Sequence, residues 1–237
     1  NRWHGAGSGV LDDQTADIKR YYPAEFMAAV LTSEMDDTDQ VVFLLSDCRD
    51  NFGLTIIPPS VNHSQWKFVV RDAKTIVYGL GAVKGVGEEA VNSIVAARKD
   101  GAFKDLYDFC NRVDIKKVGK RSLEALIKAG CFDILSETLK PHYITDHSDC
   151  SYQIRRGLWR QLPEAMAAAD QNRQNQVIGT MELFSDVEDS LFVAPPLEDD
   201  YWQPQDRLRY EQATLGLYLT GHPLDEYRSE LPLYTTV

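Results

Sequence analysis

Val83-Lys84-Gly85-Val86-Gly87-Glu88-Glu89-Ala90-Val91 is the stretch on which the reading of this 237-residue chain turns. One apolar residue stands between two glycines, and an alanine follows three residues after the second. Glycines at such spacing let the backbone turn tightly and approach a phosphate with no Cβ in the way. From Glu88 onward Val91, Ile94 and Val95 recur at helical spacing, so the turn opens into a helix. The first N–H groups of that helix have no intrahelical acceptor and suit an anion. Contacts of this kind read backbone geometry rather than base sequence. The competing reading is a plain corner between two helices.

A second, weaker copy lies about 33 residues further on, where Lys116-Lys117-Val118-Gly119-Lys120-Arg121 precedes Leu123, Leu126 and Ile127. It carries one glycine instead of two, but four of its six residues are basic. Two such turns form a tandem helix-hairpin-helix, which can straddle a duplex and touch phosphates of both strands. The charge distribution agrees. The formal net charge of −11 disfavours nucleic acid at first sight, yet it is uneven. Residues 67–128 carry 13 basic and 8 acidic side chains, whereas residues 1–66 carry 4 and 10, and residues 133–237 carry 8 and 18. Phosphate contact is therefore expected at Lys84, Gly85, Val86, Gly87, Lys116, Lys117, Gly119, Lys120 and Arg121.

The flanks set the architecture. Pro23 suits the first turn of a helix carrying Phe26, Met27, Val30 and Leu31. A second helix carries Val41, Val42, Leu44, Leu45 and Cys48, joined through the acidic stretch Met35–Asp39 and ended at Gly53. Leu54–Ile57, Trp66–Val70 and Thr75–Tyr78 read as short strands, with Arg71-Asp72-Ala73-Lys74 as a hairpin turn. Gly130 reads as a C-cap glycine. Residues 136–157 show no period, and Leu158–Ala169 resumes a helix that fades into the polar tract Gln171–Gln176. Residues 185–206 read as an acidic, proline-containing linker. Leu208, Leu215 and Leu219 then mark a last helix ending near Gly221-His222-Pro223. The expected class is mainly α, with a small two- or three-stranded β-sheet. The expected divisions are 1–78, a fingers-like helical segment with the sheet; 79–135, the tandem hairpins; 136–184; and 185–237.

Other chemistry finds little support. Cys48, Cys110, Cys131 and Cys150 make no CxxC pair, which points to reduced thiols. His142, His147 and Cys150 have a spacing a metal can use but no evident fourth ligand, and Asp37 with Asp39 reads as a solvated turn. Neither a GxSxG elbow, a phosphate-binding Walker loop nor a dinucleotide fingerprint occurs. No apolar run approaches the roughly 18 residues of a membrane span. A cytoplasmic location with no membrane partner is expected. The chain opens on Asn1, so an excised or processed piece is expected.

Longer matches point to a family. Tyr22–Val30, Tyr78–Glu88, Leu123–Ile127 with Gly130-Cys131-Phe132-Asp133, and Thr214–Pro223 resemble the bacterial replicative DNA polymerase III alpha subunit, in the right order over nearly the whole chain. The resemblance implies the outer fingers and the tandem hairpins beside the sliding-clamp contact. It places the PHP domain, thumb and palm upstream and the OB-fold downstream. The palm carboxylates that hold two magnesium ions for nucleotidyl transfer would then lie outside this stretch. No catalytic residue and no cofactor is thus assigned here. Double-stranded primer–template DNA, the sliding clamp (the beta subunit) and other replicase subunits are the implied partners. Asn1-Arg2-Trp3-His4 resembles the family's nucleotide-pocket segment, which carries serine where Trp3 stands, and assigns Asn1, Arg2 and His4 to the incoming nucleotide. Thr180-Met181-Glu182-Leu183-Phe184, after Ile178-Gly179, resembles the family's clamp-binding peptide, with Thr180 replacing its glutamine. Glu188-Asp189-Ser190-Leu191-Phe192 is a rival peptide. The alternative function is a non-catalytic adaptor with structural hairpins and an acidic protein-binding tail.

Overall fold

Proline costs a helix nothing at its first turn, and α1 (Pro23–Ser33) begins on Pro23. Its buried face is Ala24, Met27, Ala28 and Leu31, the i, i+3, i+4, i+7 stripe of an amphipathic helix. A short acidic turn follows, and Asp37 caps α2 (Thr38–Asp50) by accepting from the Asp39 and Gln40 amides at 3.0 and 3.2 Å. Asp37 is therefore a helix cap. Val41, Leu45 and Cys48 on α2 are buried. Each fully buried Met or Leu here contributes about 1.5–3 kcal/mol.

This computed structural model describes residues 17–136, 151–177, 195, 197 and 201–227. The chain divides into two units, one comprising the residues up to Pro59 with His63–Ala82, the other Ser60–Asn62 with the residues from Val83. Asn1, Arg2, His4, His142, His147, Cys150, Thr180, Met181, Glu182, Leu183, Phe184 and the rival peptide 188–192 lie outside the described residues.

The first unit closes with a sheet of order β1-β3-β2. Strand β1 (Thr55–Ile57) runs parallel to β3 (Thr75–Val77), and β2 (Val69–Asp72) pairs antiparallel with β3. Ile56 lies opposite Ile76, which is fully buried. Pro58-Pro59 ends β1 because neither residue can donate to a ladder. The expected strand over Trp66–Val70 is corrected: β2 starts at Val69, and the hairpin turns at Ala73-Lys74. Trp66 is occupied otherwise. Its carbonyl accepts from the Gly81 amide at 3.0 Å, and its indole covers Gly81 so closely that a Cβ there would lie 2.9 Å from the ring. Gly79 likewise stands where a Cβ would meet the Lys67 backbone at 2.7 Å.

The second unit is helical among its described residues: α3 (Glu88–Ala97), α4 (Leu106–Arg112), α5 (Ile115–Lys128), α6 (Ile154–Val177) and α7 (Pro204–Leu215). Its core centres on Phe109, whose ring lies 4.7 Å from Phe103 and 4.9 Å from Phe132. Leu106, Leu123, Leu126, Leu158 and Leu162 are buried in the same unit. Two arginines hold helix ends. Arg112 donates to the Ala97 and Gly101 carbonyls at 2.7 and 2.6 Å, and Arg173 to those of Cys110 and Val113 at 3.0 and 2.6 Å. Such bonds satisfy carbonyls that a helix leaves without partners.

Three boundaries differ from the sequence reading. Helix α6 begins at Ile154, four residues before the expected Leu158, and a turn over Ser151–Gln153 leads into it. The polar tract Gln171–Gln176 is the continuation of α6, not its fading end; Arg173 within it is anchored on α4 as described. Leu219 lies outside α7, which stops at Leu215 because Gly216 takes a left-handed φ of 74°.

Candidate nucleic-acid interface

Each hairpin presents one buried valine between exposed backbone or basic groups. In the first, Val86 is buried while Lys84, Gly85 and Gly87 are exposed. The turn depends on Gly85, whose φ of 87° is unfavourable for any residue with a Cβ. Gly87 is the N-cap of α3 and supplies no side-chain cap, so among the described residues no side chain takes up the first amides of that helix. Two amides of the turn are already engaged: Val86 donates to Val83 at 3.2 Å and Lys84 to the Thr214 carbonyl at 2.9 Å. Glu88 and Glu89 fill the first turn of α3 and are exposed.

The second hairpin lies inside α5, which is two helical pieces joined at Gly119 (φ 70°, ψ 153°). Val118 is buried, and Lys116, Lys117, Lys120 and Arg121 are exposed around it. Val118-Gly119-Lys120-Arg121 therefore repeats Val86-Gly87-Glu88-Glu89, with Leu123 and Leu126 buried where Val91 and Ile94 are buried in the first copy. Asp114 opens the second copy by accepting from the Lys116 amide at 3.1 Å. The two turns touch. Ser122 Oγ donates to the Gly85 carbonyl at 2.9 Å, and a Cβ built on Gly85 would lie 3.7 Å from the Ala125 methyl. All nine sequence-predicted contact residues thus sit on two adjoining turns of one unit. Lys120 also approaches Glu124 at 3.9 Å, a half-exposed pair of small energetic weight.

The same unit holds an ion cluster around a buried arginine, and the sequence reading missed it. Arg155 is fully buried on α6. Its Nε and Nη2 donate to Asp133 at 2.8 and 2.6 Å, and its Nη1 donates to Glu211 Oε1 at 2.7 Å. Burial by itself would push the guanidinium's pKa down, but the two carboxylates more than offset it and hold Arg155 charged. Glu211, fully buried on α7, accepts further bonds from the Leu219 amide at 2.6 Å, the Thr220 amide at 3.0 Å and the Thr220 hydroxyl at 2.7 Å. Gly130 completes the seat: its φ is 78°, and a Cβ there would collide with Arg155 Nη2 and lie 2.8 Å from Asp133 Oδ2. One sequence signal was available. Glu211 occupies the apolar stripe Leu208–Glu211–Leu215, where a charge must have a buried partner.

The described thiols are not poised for chemistry. Burial pushes Cys48 up to about 11 and Cys110 up to about 12, and Cys131 higher still. Among the described residues no cluster of three or more His, Cys, Asp or Glu can hold a metal, and no helix is long and apolar enough to cross a membrane.

Residues 53–140, which contain the paired turns, match a family described as the helix-hairpin-helix motif. The chain is homologous along its whole length to part of DNA polymerase III subunit alpha. It is 43% identical to that subunit of Vibrio cholerae over 242 residues, covering 100% of this chain and 19% of the relative. It is 44% identical to that of Pseudomonas aeruginosa (98% of this chain, 20% of the relative) and 40% identical to that of Escherichia coli (99% and 19%). The chain spans about a fifth of the length of these curated relatives.

Proposed function

We propose that this chain is the part of a replicative DNA-directed DNA polymerase that grips duplex primer–template by its backbone. The observation that carries the reading is the adjoining pair of hairpins. Exposed glycine backbone at Gly85 and Gly87 and exposed cations at Lys116, Lys117, Lys120 and Arg121 stand on buried valines. The mechanism is electrostatic and steric. Glycine lets a phosphate oxygen reach the first amides of α3, and the cations of the second turn displace counterions from the phosphates near them. The first turn offers backbone amides and the second offers cations at a turn suited to phosphates, so binding is expected to be indifferent to sequence. Nucleotidyl transfer is proposed for the whole protein, and no residue of this chain is given a catalytic role.

The test is duplex binding across a salt series. Affinity should fall linearly on a log–log plot, and Lys117→Glu with Lys120→Glu should weaken binding to every sequence alike. Binding that ignores salt, or none at low salt, overturns the proposal in favour of an adaptor whose hairpins are corners.

A clamp contact through Thr180–Phe184 extends the proposal. It is supported by the Leu183-Phe184 pair after Ile178-Gly179, two apolar anchors of the kind short peptides seat in pockets. Leu183→Ala with Phe184→Ala should abolish capture by a sliding clamp; unchanged capture moves the contact to residues 188–192 or elsewhere.

A further inference from the structure

We infer that Arg155 and Glu211 are positioning residues for the first hairpin, so that the DNA-gripping module is completed by helices lying well beyond the hairpins in sequence. The inference rests on the duplex-binding reading above. The links run in one direction through named atoms. Arg155 on α6 is clamped on one side by Asp133, just after α5, and on the other by Glu211 on α7. Glu211 sits one turn before the end of α7, and its carboxylate also gathers the returning chain through Leu219 and Thr220. The last turn of α7 is fixed in place by these bonds. That turn carries the Thr214 carbonyl, which, like others at a helix C-terminus, lacks an intrahelical donor. The donor it finds is the Lys84 amide at 2.9 Å, the entry residue of the first hairpin.

The arrangement has a consequence specific to the first hairpin. Its grip depends on where backbone amides point, and amides cannot reorient as lysine side chains do. The second hairpin works through long cationic side chains and tolerates small displacements. A buried charge pair is weak evidence for stability but breaks sharply when one partner is altered. Its value here lies in orientation: Glu211 is satisfied in four bonds, and neutralising it leaves the Leu219 and Thr220 donors facing an amide.

The test uses the whole chain with Glu211→Gln, and with Thr220→Val as a milder variant that removes the hydroxyl donated to Glu211. Three readouts are taken: amide hydrogen exchange, affinity for a short duplex, and its salt dependence. The expected result is loss of protection at the Lys84 amide by about tenfold or more while the Val91 and Leu123 amides keep theirs. Duplex affinity should fall about threefold with an unchanged salt slope, because no surface cation is lost. Unaltered Lys84 protection, or protection lost equally at every core amide, overturns the inference and leaves Arg155 a purely structural ion. If Glu211→Gln does not fold, Thr220→Val decides on the same criteria. A wild-type chain that ignores duplex altogether refutes the DNA reading, and the Lys84 exchange then still decides whether the coupling exists.

Discussion

The two hairpins share a frame and differ in what they offer a phosphate. Both bury a valine, both place glycine at the start of the second helix, and both bury apolar residues one and two turns later. The first has two glycines and then Glu88-Glu89; the second has one glycine and then Lys120-Arg121. The first therefore presents uncapped amides behind a screen of carboxylates. The second presents mobile positive charge. Carboxylates in a first turn stabilise the helix by complementing its dipole, but they repel the ligand that the amides attract. On the duplex-binding proposal, the first hairpin would serve geometry and the second attraction. A duplex would be drawn by the second and aligned by the first.

The largest effect should come from the second hairpin's charge. Lys117→Glu with Lys120→Glu should reduce duplex affinity on the order of 100-fold at moderate salt and flatten the log–log salt slope by roughly two. Filter binding or anisotropy over a salt series measures both. A similar loss from altering the first hairpin's Lys84 alone would erase the division of labour.

Gly87→Ala separates stability from binding in the first hairpin. Gly87 has a φ of −90° and no atom near its would-be Cβ, so alanine should alter stability by less than about 1 kcal/mol. The added methyl nevertheless stands beside the exposed amides, and duplex affinity should fall about fivefold. Gly85→Ala should behave in the opposite way, destabilising the fold by about 1–2 kcal/mol because its φ is 87°. Thermal unfolding beside binding tells the two apart. A Gly87→Ala protein that binds as well as wild type would reduce the first hairpin to a corner.

Removing the screen should strengthen the grip. Glu88→Gln with Glu89→Gln takes two carboxylates from the start of α3 and should raise duplex affinity about threefold, most clearly at low salt. The helix loses some tenths of a kcal/mol of dipole stabilisation. Unchanged affinity would place bound phosphate away from this helix end.

Both hairpins were legible in the sequence because their signals are local: glycine spacing, an apolar residue between, and a helical period straight after. The helix pair before the sheet was legible for the same reason, with Pro23 opening one helix and an acidic turn capping the next. What failed was long-range. The start of α6 was hidden because Arg155 reads as a surface residue until its partners are known, and they lie 22 and 56 residues away. Trp66 looked like strand because aromatic residues favour strands. Its actual role, covering Gly81, depends on a chain segment 15 residues on, which no local propensity encodes. The polar end of α6 was likewise misread, since its anchor is α4 and not its own apolar face.

The smallest effect probes whether the hairpins act together. Ser122 occupies in the second copy the place that Ala90 holds in the first, so one hydroxyl reaches across, to the Gly85 carbonyl, with no counterpart in the other direction. An exposed hydrogen bond of this type contributes about 0.5–1.5 kcal/mol net. Ser122→Ala should lower the melting temperature by a few degrees at most and weaken duplex binding about twofold, through misalignment of Gly85 and not through charge. The salt slope should stay as in wild type, because every cation remains. Ala90→Ser is the control: it adds a hydroxyl at the matching site and should leave affinity unchanged. If Ser122→Ala alters nothing while Gly87→Ala and the lysine reversals act as expected, the two turns bind independently, and the charge-rich hairpin does not depend on its neighbour for alignment.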